Sequence, residues 1–143
     1  MSERRLDHVG LNVADLDAAE HWYSNALGYV RDLAVRLDAL ELDIVMLIHP
    51  GRGDRLELLH RPGSHAGLRA ADPPEAVPTQ GFGHVAFDVV GVDEHYARLL
   101  ALGARPVMEP RPSPEPGVRM AFVADPEGNL LELLDRSSGA HGP

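Results

Sequence analysis

The sequence repeats itself once, and this internal repeat constrains the fold more than any other feature of the chain. The stretch LDHVGLNVADLDAAEHWYSNALGY, which starts at Leu6, aligns with FGHVAFDVVGVDEHYARLLALGA, which starts at Phe82. Later in each copy, RLELLH from Arg55 aligns with LLELLD from Leu130. A gap of one residue separates the two alignments, so the chain is predicted to contain two copies of one structural unit.

Hydrophobic periodicity predicts a strand, a helix and three further strands in each copy. In the first copy, Val9 and Leu11 alternate with polar or small residues, which is typical of a strand that buries one face. Asp17, with Glu20 three positions later, indicates a helix start, and Gly28 indicates its end. The predicted extended segments are 28–38, 42–49 and 55–60 in the first copy and 104–109, 118–124 and 130–134 in the second, whose helix is expected over about 93–102.

Two segments rich in Pro and Gly interrupt this pattern and are predicted to be loops. One of them, 61–80, separates the two copies, and the other, 109–117, lies inside the second copy. A connection as long as the first is either a linker between modules or a lid over a site, and the linker is the favoured interpretation. Because 143 residues fit one ordinary domain, we expect a single domain over 1–143, with modules at about 5–60 and 81–136.

Four side chains of metal-ligating type occupy equivalent places in the two copies: His8 with His84, and Glu57 with Glu132. Because side chains alternate across a strand, each of the four lies on the face opposite its apolar neighbours. Taken singly, a strand histidine is usually an ordinary core or surface residue, and a glutamate between leucines often faces water. Their coincidence in both copies favours one shared divalent metal ion, which would also compensate carboxylates placed among leucines.

Composition narrows the chemistry of such a site. The chain contains no Cys and no Lys, so histidine nitrogen and carboxylate oxygen are the available donors, and Schiff-base catalysis is excluded. A net charge of −9, with no basic stripe to offset it, argues against nucleic acid as a partner. No segment approaches the roughly 20 apolar residues of a membrane span, and no apolar signal core opens the chain, so a soluble cytoplasmic protein is expected.

Other ionisable residues carry weaker arguments. Glu41 and Asp43 belong to the predicted strand that precedes RLELLH and are candidates for a partner acid or base, although solvent-facing charge is their commoner role. The histidines without a counterpart in the other copy are expected at the solvated surface; they are His21, His49, His60, His65, His95 and His141.

The same stretches resemble the vicinal oxygen chelate superfamily, which includes glyoxalase I, methylmalonyl-CoA epimerase, extradiol dioxygenases and bleomycin-resistance proteins. The segment from Leu6 is similar to the family's opening strand and helix, and DPEGNLLELL, from Asp125, is similar to its closing turn and strand. The resemblance implies an α+β glyoxalase fold of two βαβββ modules, whose curved mixed sheet surrounds a metal-containing cleft. The ligands that it carries over are His8, Glu57, His84 and Glu132. Two His and two Glu match the glyoxalase I set, whereas epimerase relatives commonly have Gln at the position of Glu57.

Two imidazoles and two carboxylates suit Zn, Ni, Co, Mn or Fe and leave one or two positions for substrate or water. A metal that holds neighbouring substrate oxygens acts as a Lewis acid, which favours loss of a proton from the adjacent carbon. Glu132 is the first choice for the base that takes this proton. Glu57 is the second choice, and Glu41 is a further candidate.

The leading functional interpretation is a metal-dependent isomerase or epimerase, or a glyoxalase-type lyase, that works through an enediolate or enolate. Its expected substrate is a hydroxyketone, a 2-oxoaldehyde adduct or an acyl thioester, the last of which Arg105, Arg111 and Arg119 would help to bind. A metal-free antibiotic-binding protein and an iron-dependent dioxygenase are the alternatives. The complete ligand set disfavours the first alternative, and the extra carboxylate and short chain disfavour the second. A homodimer is expected, because family members commonly complete the cleft with a partner chain and open sheet edges need cover.

Overall fold

The computed structural model of the protein describes residues 3–137, which divide into two compact units with the boundary between Ala66 and Gly67. The boundary falls inside the segment 61–80 that was predicted to link the modules. Each unit contains one βαβββ module built on a four-stranded mixed sheet. The predicted α+β class and the internal repeat are therefore confirmed.

The first module begins with a strand and a helix and continues with three antiparallel strands. Its elements are β1 (His8–Asn12), α1 (Leu16–Leu27), β2 (Val30–Leu37), a short 3-10 helix (Asp38–Leu40), β3 (Leu42–Ile48) and β4 (Arg55–His60). The strand order is β1-β4-β3-β2, and β1 runs parallel to β4. Helix α1 packs on β3 and β4, where Leu47 and Leu58 are completely buried. The core of this module therefore lies between the helix and one face of the sheet.

The start of α1 differs from the prediction, and its end agrees with it. Asp15, not Asp17, caps the helix, because its side chain accepts a hydrogen bond of 3.0 Å from the backbone N–H of Ala18. Asp17 lies instead in the first turn, where a negative charge favours the positive end of the helix dipole. Gly28 ends the helix in a left-handed conformation with a φ of 77°, as the sequence predicts.

The second module repeats this order after a short additional helix. Its elements are α2 (Pro73–Ala76), β5 (Val85–Asp88), α3 (Val92–Ala101), β6 (Arg105–Pro112), β7 (Arg119–Ala124) and β8 (Leu130–Asp135). The strand order is β5-β8-β7-β6, with β5 parallel to β8. Helix α3 contacts β6, β7 and β8, and Leu99 and Leu133 form part of its buried core. The two modules therefore share one topology and one core layout.

The segment 61–80 is not entirely a loop. It contains α2, whose first turn is capped by the side chain of Asp72 through a bond of 2.9 Å to the N–H of Glu75. Ala70 and Ala76 are buried in one cluster with Ala124 and Leu130. The second half of this segment is thus an integral part of the second unit.

The Pro-rich segment 109–117 is also partly ordered as a strand, because β6 extends to Pro112. A proline has no N–H to donate, so a strand that contains it is tolerated at the edge of a sheet, where one side needs no partner. Strand β6 is such an edge strand. The repeated prolines of this segment predict a loop, because proline disrupts the hydrogen bonds of a central strand. In an edge strand the missing N–H groups can face away from the sheet, so the segment can be extended.

None of the helices in the part of the chain that the structure describes is long and apolar enough to cross a membrane.

Candidate metal centre

The first His–Glu pair lies on the face of the first sheet opposite α1. His8 opens β1, and Glu57 lies in the neighbouring strand β4, between two buried leucines that point to the helix. The Nε2 atom of His8 is 3.7 Å from Oε1 of Glu57. Gly10 is the residue of β1 beside Glu57, and even an added Cβ there would stay 3.6 Å from Oε1. The carboxylate is therefore uncovered on this side.

The second pair repeats this placement with a closer contact. His84 immediately precedes β5, and Glu132 lies in β8 beside Ala86. The Nε2 atom of His84 is 3.0 Å from Oε2 of Glu132, whose side chain is 15% exposed, against 22% for Glu57. The imidazole edge also meets the ring of Phe122, with centroids 5.1 Å apart and planes at 80°. In this module the histidine is oriented by its own glutamate and by an aromatic ring.

Among the described residues, His8 has a further partner that has no counterpart at His84. The Nδ1 atom of His8 is 2.7 Å from Oδ2 of Asp7. An ionised carboxylate only accepts hydrogen bonds, so Nδ1 carries the proton and donates it. This hydrogen bond holds the pKa of Asp7 below its usual value. The equivalent residue before His84 is Gly83, which has no side chain to offer.

Asp7 was not among the residues singled out from the sequence. The signal that points to it is the Asp-His dipeptide at the start of β1, where an acceptor is adjacent to a predicted ligand. Hydrogen-bond partners of ligating imidazoles are commonly carboxylates, so the dipeptide was sufficient to suggest the contact.

The donor types of the two pairs fit a divalent metal ion, and each module supplies two of them. Imidazole nitrogen and carboxylate oxygen together suit metals such as zinc, nickel and iron. Among residues 3–137, neither Glu57 nor Glu132 is ion-paired with an arginine, and each lies against its own histidine. Within the same residues, no three potential ligands lie close enough together to hold a metal. Each module by itself therefore offers half of the predicted ligand set.

Glu41 lies just outside the strand in which it was predicted. It follows the 3-10 helix in a left-handed conformation with a φ of 50°, and its residue is exposed. The residue of β3 opposite Glu57 is Met46, five positions further along the chain, or about 17 Å of extended backbone. As a catalytic residue Glu41 stays a prediction, with no contact to the pair described above.

Asp43 lies in β3 as predicted, but it contacts an arginine and lines a cavity away from the His–Glu pair. Its carboxylate accepts a hydrogen bond of 2.8 Å from Arg36. Together with His60 it lines a cavity of about 650 Å³ between the start of α1 and strands β2 and β3. Neither His8 nor Glu57 lines this cavity, so it is separate from the first His–Glu pair.

Two of the histidines expected at the surface are partly buried and hydrogen-bonded, so that expectation is wrong for them. The Nδ1 atom of His60 is 2.9 Å from the carbonyl oxygen of Val13. The Nδ1 atom of His49 accepts hydrogen bonds of 3.2 Å from the N–H groups of Gly51 and Arg52. His95 is of intermediate exposure, His21 and His65 are exposed as expected, and His141 lies outside the described residues.

The turn that contains His49 holds a second polar network that the sequence did not reveal. The ring of Tyr29 meets the edge of His49, and its hydroxyl donates a hydrogen bond to Asp54. Arg52 donates to the same carboxylate at 2.7 Å. Burial, followed by the bond to Asp54, raises the pKa of Tyr29. These groups form hydrogen bonds with one another around the β3–β4 turn and do not contact the His–Glu pair.

The three arginines considered for an acyl thioester are engaged to different extents. Arg119 forms two hydrogen bonds, of 2.6 and 2.8 Å, with the carboxylate of Asp93. Arg105 and Arg111 donate to the backbone carbonyls of Ala71 and Glu109, respectively. Because a backbone carbonyl carries no net charge, Arg105 and Arg111 keep an uncompensated positive charge in these contacts, whereas Arg119 does not.

Known proteins resemble this chain over nearly its whole length. A "Probable lactoylglutathione lyase" from Vibrio cholerae is 29% identical over 99% of this chain and 98% of its own length. An "Ethylmalonyl-CoA/methylmalonyl-CoA epimerase" from Cereibacter sphaeroides is 31% identical over 71% of this chain and 72% of its own. Among solved structures, a glyoxalase family protein from Bacillus cereus superposes with a TM-score of 0.76 at 26% identity, over 94% of this chain and 95% of that one.

A model of one protein family also matches residues 5–133, which include both His–Glu pairs. The match spans both modules and the segment that joins them. Together with the repeated βαβββ topology, it shows that the chain belongs to the Glyoxalase/Bleomycin resistance protein/Dioxygenase superfamily.

Proposed function

We propose that His8, Glu57, His84 and Glu132 together bind one divalent metal ion and that the protein is an isomerase, epimerase or glyoxalase-type lyase. The observation that carries this proposal is the repetition of one His–Glu pair at equivalent positions of two modules. Relatives named as a lyase and as an epimerase support a reaction at a carbon next to a carbonyl group. Zn, Ni, Co, Mn and Fe all suit such donors.

The chemistry that the metal would supply is Lewis-acid polarisation of the substrate carbonyl, which makes the neighbouring C–H bond more acidic. The side chains would bind the metal and transfer the proton. Each histidine turns its Nε2 atom toward its own glutamate, so two nitrogens and two carboxylates are available as donors. The two His–Glu pairs have to lie next to each other to form a complete set of four ligands, either within one chain or across two chains.

Glu132 is the proposed base. A carboxylate within hydrogen-bond reach of the substrate carbon takes the proton and returns it to a neighbouring carbon on the same face, whereas inversion at the original carbon needs a second proton donor on the opposite face. Glu132 is the less exposed of the two glutamates, and its neighbours across the sheet, Ala86 and Phe122, are apolar. Such neighbours limit the access of water to the transferred proton. Glu57 is the second candidate and Glu41 the third.

The proposed substrate is a small oxygenated molecule: a hydroxyketone, a 2-oxoaldehyde adduct or an acyl thioester. The lyase relative favours an adduct of an oxoaldehyde, and the epimerase relative favours an acyl thioester. Arg105 and Arg111, whose described bonds go to backbone carbonyls, are the cations available to a charged acyl carrier.

A homodimer is part of this proposal. Strand β2 is an edge strand, and all eight of its residues are exposed in the isolated chain. Val30, Leu33 and Val35 are each more than 40% exposed, and open apolar edges favour association with another chain. Sedimentation at micromolar concentration is expected to give a dimer, and a monomer would contradict this part of the proposal.

The test combines metal analysis with proton exchange. The purified protein is expected to retain a divalent metal through gel filtration, and the loaded protein to incorporate deuterium from solvent into a hydroxyketone, a hemithioacetal or an acyl thioester. Protein treated with a chelator serves as the control and is expected to lose the exchange and to regain it on reloading. Metal-loaded protein that exchanges none of the three substrate classes would contradict the proposed reaction type, and equal exchange with and without metal would contradict its metal dependence.

A further inference from the structure

The two modules place equivalent histidines beside equivalent glutamates, but they support the imidazoles differently. In the first module, the second ring nitrogen of His8 faces the carboxylate of Asp7 at 2.7 Å. In the second module, Gly83 occupies the equivalent place. A residue next to one ligand therefore has no counterpart next to the other.

Asp7 has competing charged neighbours, and the geometry shows which contact it makes. Arg5 and Arg55 lie near enough to affect its carboxylate electrostatically, but Arg55 donates its described hydrogen bond to Asp32. The short contact of Asp7 is the one to His8. Because an ionised carboxylate has no proton to give, the bond keeps a proton on Nδ1, and in the neutral imidazole the lone pair then lies on Nε2.

The Nε2 atom is the one that points toward Glu57, which is where a ligand nitrogen needs its lone pair. At His84 the same atom is 3.0 Å from the carboxylate of Glu132, and the preceding residue, Gly83, has no acid that could hold the proton on Nδ1. A cation that bound at Nε2 of His84 would have to replace a proton whenever the neutral ring carries it on that nitrogen. At His8 no such replacement is required, because the proton already lies on the other nitrogen.

We infer that Asp7 is a positioning residue that sets the tautomer and ring orientation of His8 and so prepares the first module, but not the second, for a metal ion. This inference rests on the proposed function for its metal and on the present geometry for its tautomer. The side chain of Asp7 is 71% exposed, so its contribution to folding stability is small. Asp7 is instead expected to affect the tautomer and the orientation of the His8 imidazole.

The first test uses metal-free protein and reads the imidazole tautomers from the nitrogen chemical shifts of the histidine rings in mildly alkaline buffer. His8 is expected as the Nδ1–H tautomer in the natural protein and as a mixture of tautomers in Asp7→Ala. Asp7→Asn is expected to lie between them, because a neutral acceptor makes a weaker hydrogen bond than a charged one. Glu3→Ala, which removes the same charge from the same exposed segment, is the control. His8 protonated on Nε2 in the natural protein, or unchanged in Asp7→Ala, would overturn the inference.

The second test measures metal affinity by competition with a chelator. Asp7→Ala is expected to bind the metal about 10- to 100-fold more weakly, as is usual when the hydrogen-bond partner of a ligating histidine is removed. Its thermal midpoint is expected to match that of Glu3→Ala. An affinity equal to that of the natural protein would overturn the role of Asp7 in metal binding. If the natural protein bound no metal, the proposed function would fall, and the tautomer experiment would still decide the role of Asp7 at His8.

A converse variant transfers the acid to the other module. In Gly83→Asp the new side chain would occupy open space, because a Cβ there meets no atom within 4 Å. His84 is expected to move toward the Nδ1–H tautomer in the metal-free protein, while His8 stays unchanged. An unchanged His84 would contradict the claim that an acid at this position is what sets the tautomer.

Discussion

The two modules of this protein place a histidine beside a glutamate in the same way, but different side chains contact the histidine in each module. Both place a histidine at the start of the first strand of the module and a glutamate on the adjacent parallel strand. In the first module an outside carboxylate holds the imidazole, and the glutamate stands 3.7 Å away. In the second the glutamate itself holds the imidazole at 3.0 Å, beside an aromatic ring. The repeated backbone determines the positions of the histidine and the glutamate. Residues that differ between the two copies, such as Asp7 and Gly83, determine which groups contact each imidazole.

We propose that this difference gives the two glutamates different roles. A proton carrier has to accept a proton and give it back, and the carboxylate of Glu132 lies 3.0 Å from Nε2 of His84. Glu57 lies 3.7 Å from His8, and in the proposed site it would contribute mainly charge and an oxygen donor. The two modules are therefore expected to respond differently to the same substitution, while their cores respond alike.

The largest expected effect is on catalysis. Glu132→Gln is expected to lower the rate of proton exchange by about 10²- to 10⁴-fold at saturating metal, because an amide cannot accept the proton at neutral pH. Glu57→Gln is expected to weaken metal binding and to keep part of the exchange. Deuterium incorporation into an accepted substrate measures both, and Glu94→Gln, an exposed residue of α3, is the matched control. Equal rates in the two variants would show that neither glutamate is the distinctive base, and loss in Glu57→Gln alone would reverse their roles.

A smaller effect is expected on stability, and here the modules should agree. Leu58 and Leu133 occupy equivalent positions and are both completely buried. Replacement of either by alanine is expected to lower the free energy of unfolding by about 2–5 kcal/mol, from lost burial and the cavity left behind. Denaturant unfolding measures this, with Val77→Ala, at a residue that is 78% exposed, as the surface control. If either leucine variant matched this control, the cores would not be equivalent.

The smallest expected effect concerns an ion pair that one module has and the other lacks. Arg119 of β7 holds Asp93 of α3 through two hydrogen bonds, whereas the strand register places an acid, Asp43, at the equivalent position of the first module. The bond to Arg119 lowers the pKa of Asp93 in the folded state. The stabilisation is therefore complete above the pKa of the unfolded chain and disappears as the pH falls through the folded value.

The corresponding variant is Asp93→Asn. It is expected to be slightly less stable than the natural protein at neutral pH, by a small fraction of the Leu133→Ala effect, since exposed ion pairs contribute little. The difference should vanish in acid, where both proteins carry an uncharged side chain at this position. Thermal unfolding across the acid range measures it, and a difference that grew toward low pH would contradict a lowered pKa of Asp93 in the folded state.

Much of this fold could be predicted because alternating burial leaves a clear trace in the sequence. The predicted segment 55–60 coincides with β4, and Gly28 ends α1 as expected. The start of α1 was misplaced because Asp15 and Asp17 are both plausible caps, and the choice depends on backbone geometry. The end of β6 was missed because its prolines are unfavourable in a strand except at a sheet edge, and the edge position is a property of the whole sheet.

The candidate site could be predicted to the level of donors and faces, since strand parity determines both. The side-chain contacts could not. The bond from His8 to Asp7 depends on one rotamer of each residue, and the partial burial of His49 and His60 depends on the turn and the helix entry that surround them. Whether two donors from each module share one ion depends on how the modules associate, which periodicity within a module does not specify.

Metal stoichiometry in histidine variants tests the shared site itself. One metal ion per chain is expected in the natural protein, measured by elemental analysis after equilibrium dialysis. Either His8→Ala or His84→Ala is expected to remove nearly all of it, because each variant removes one donor from the proposed four-donor site. His21→Ala, at an exposed histidine of α1, is expected to retain it. Two ions per chain in the natural protein, or one ion retained in each of the two single variants, would contradict a shared site and would assign each module a separate one.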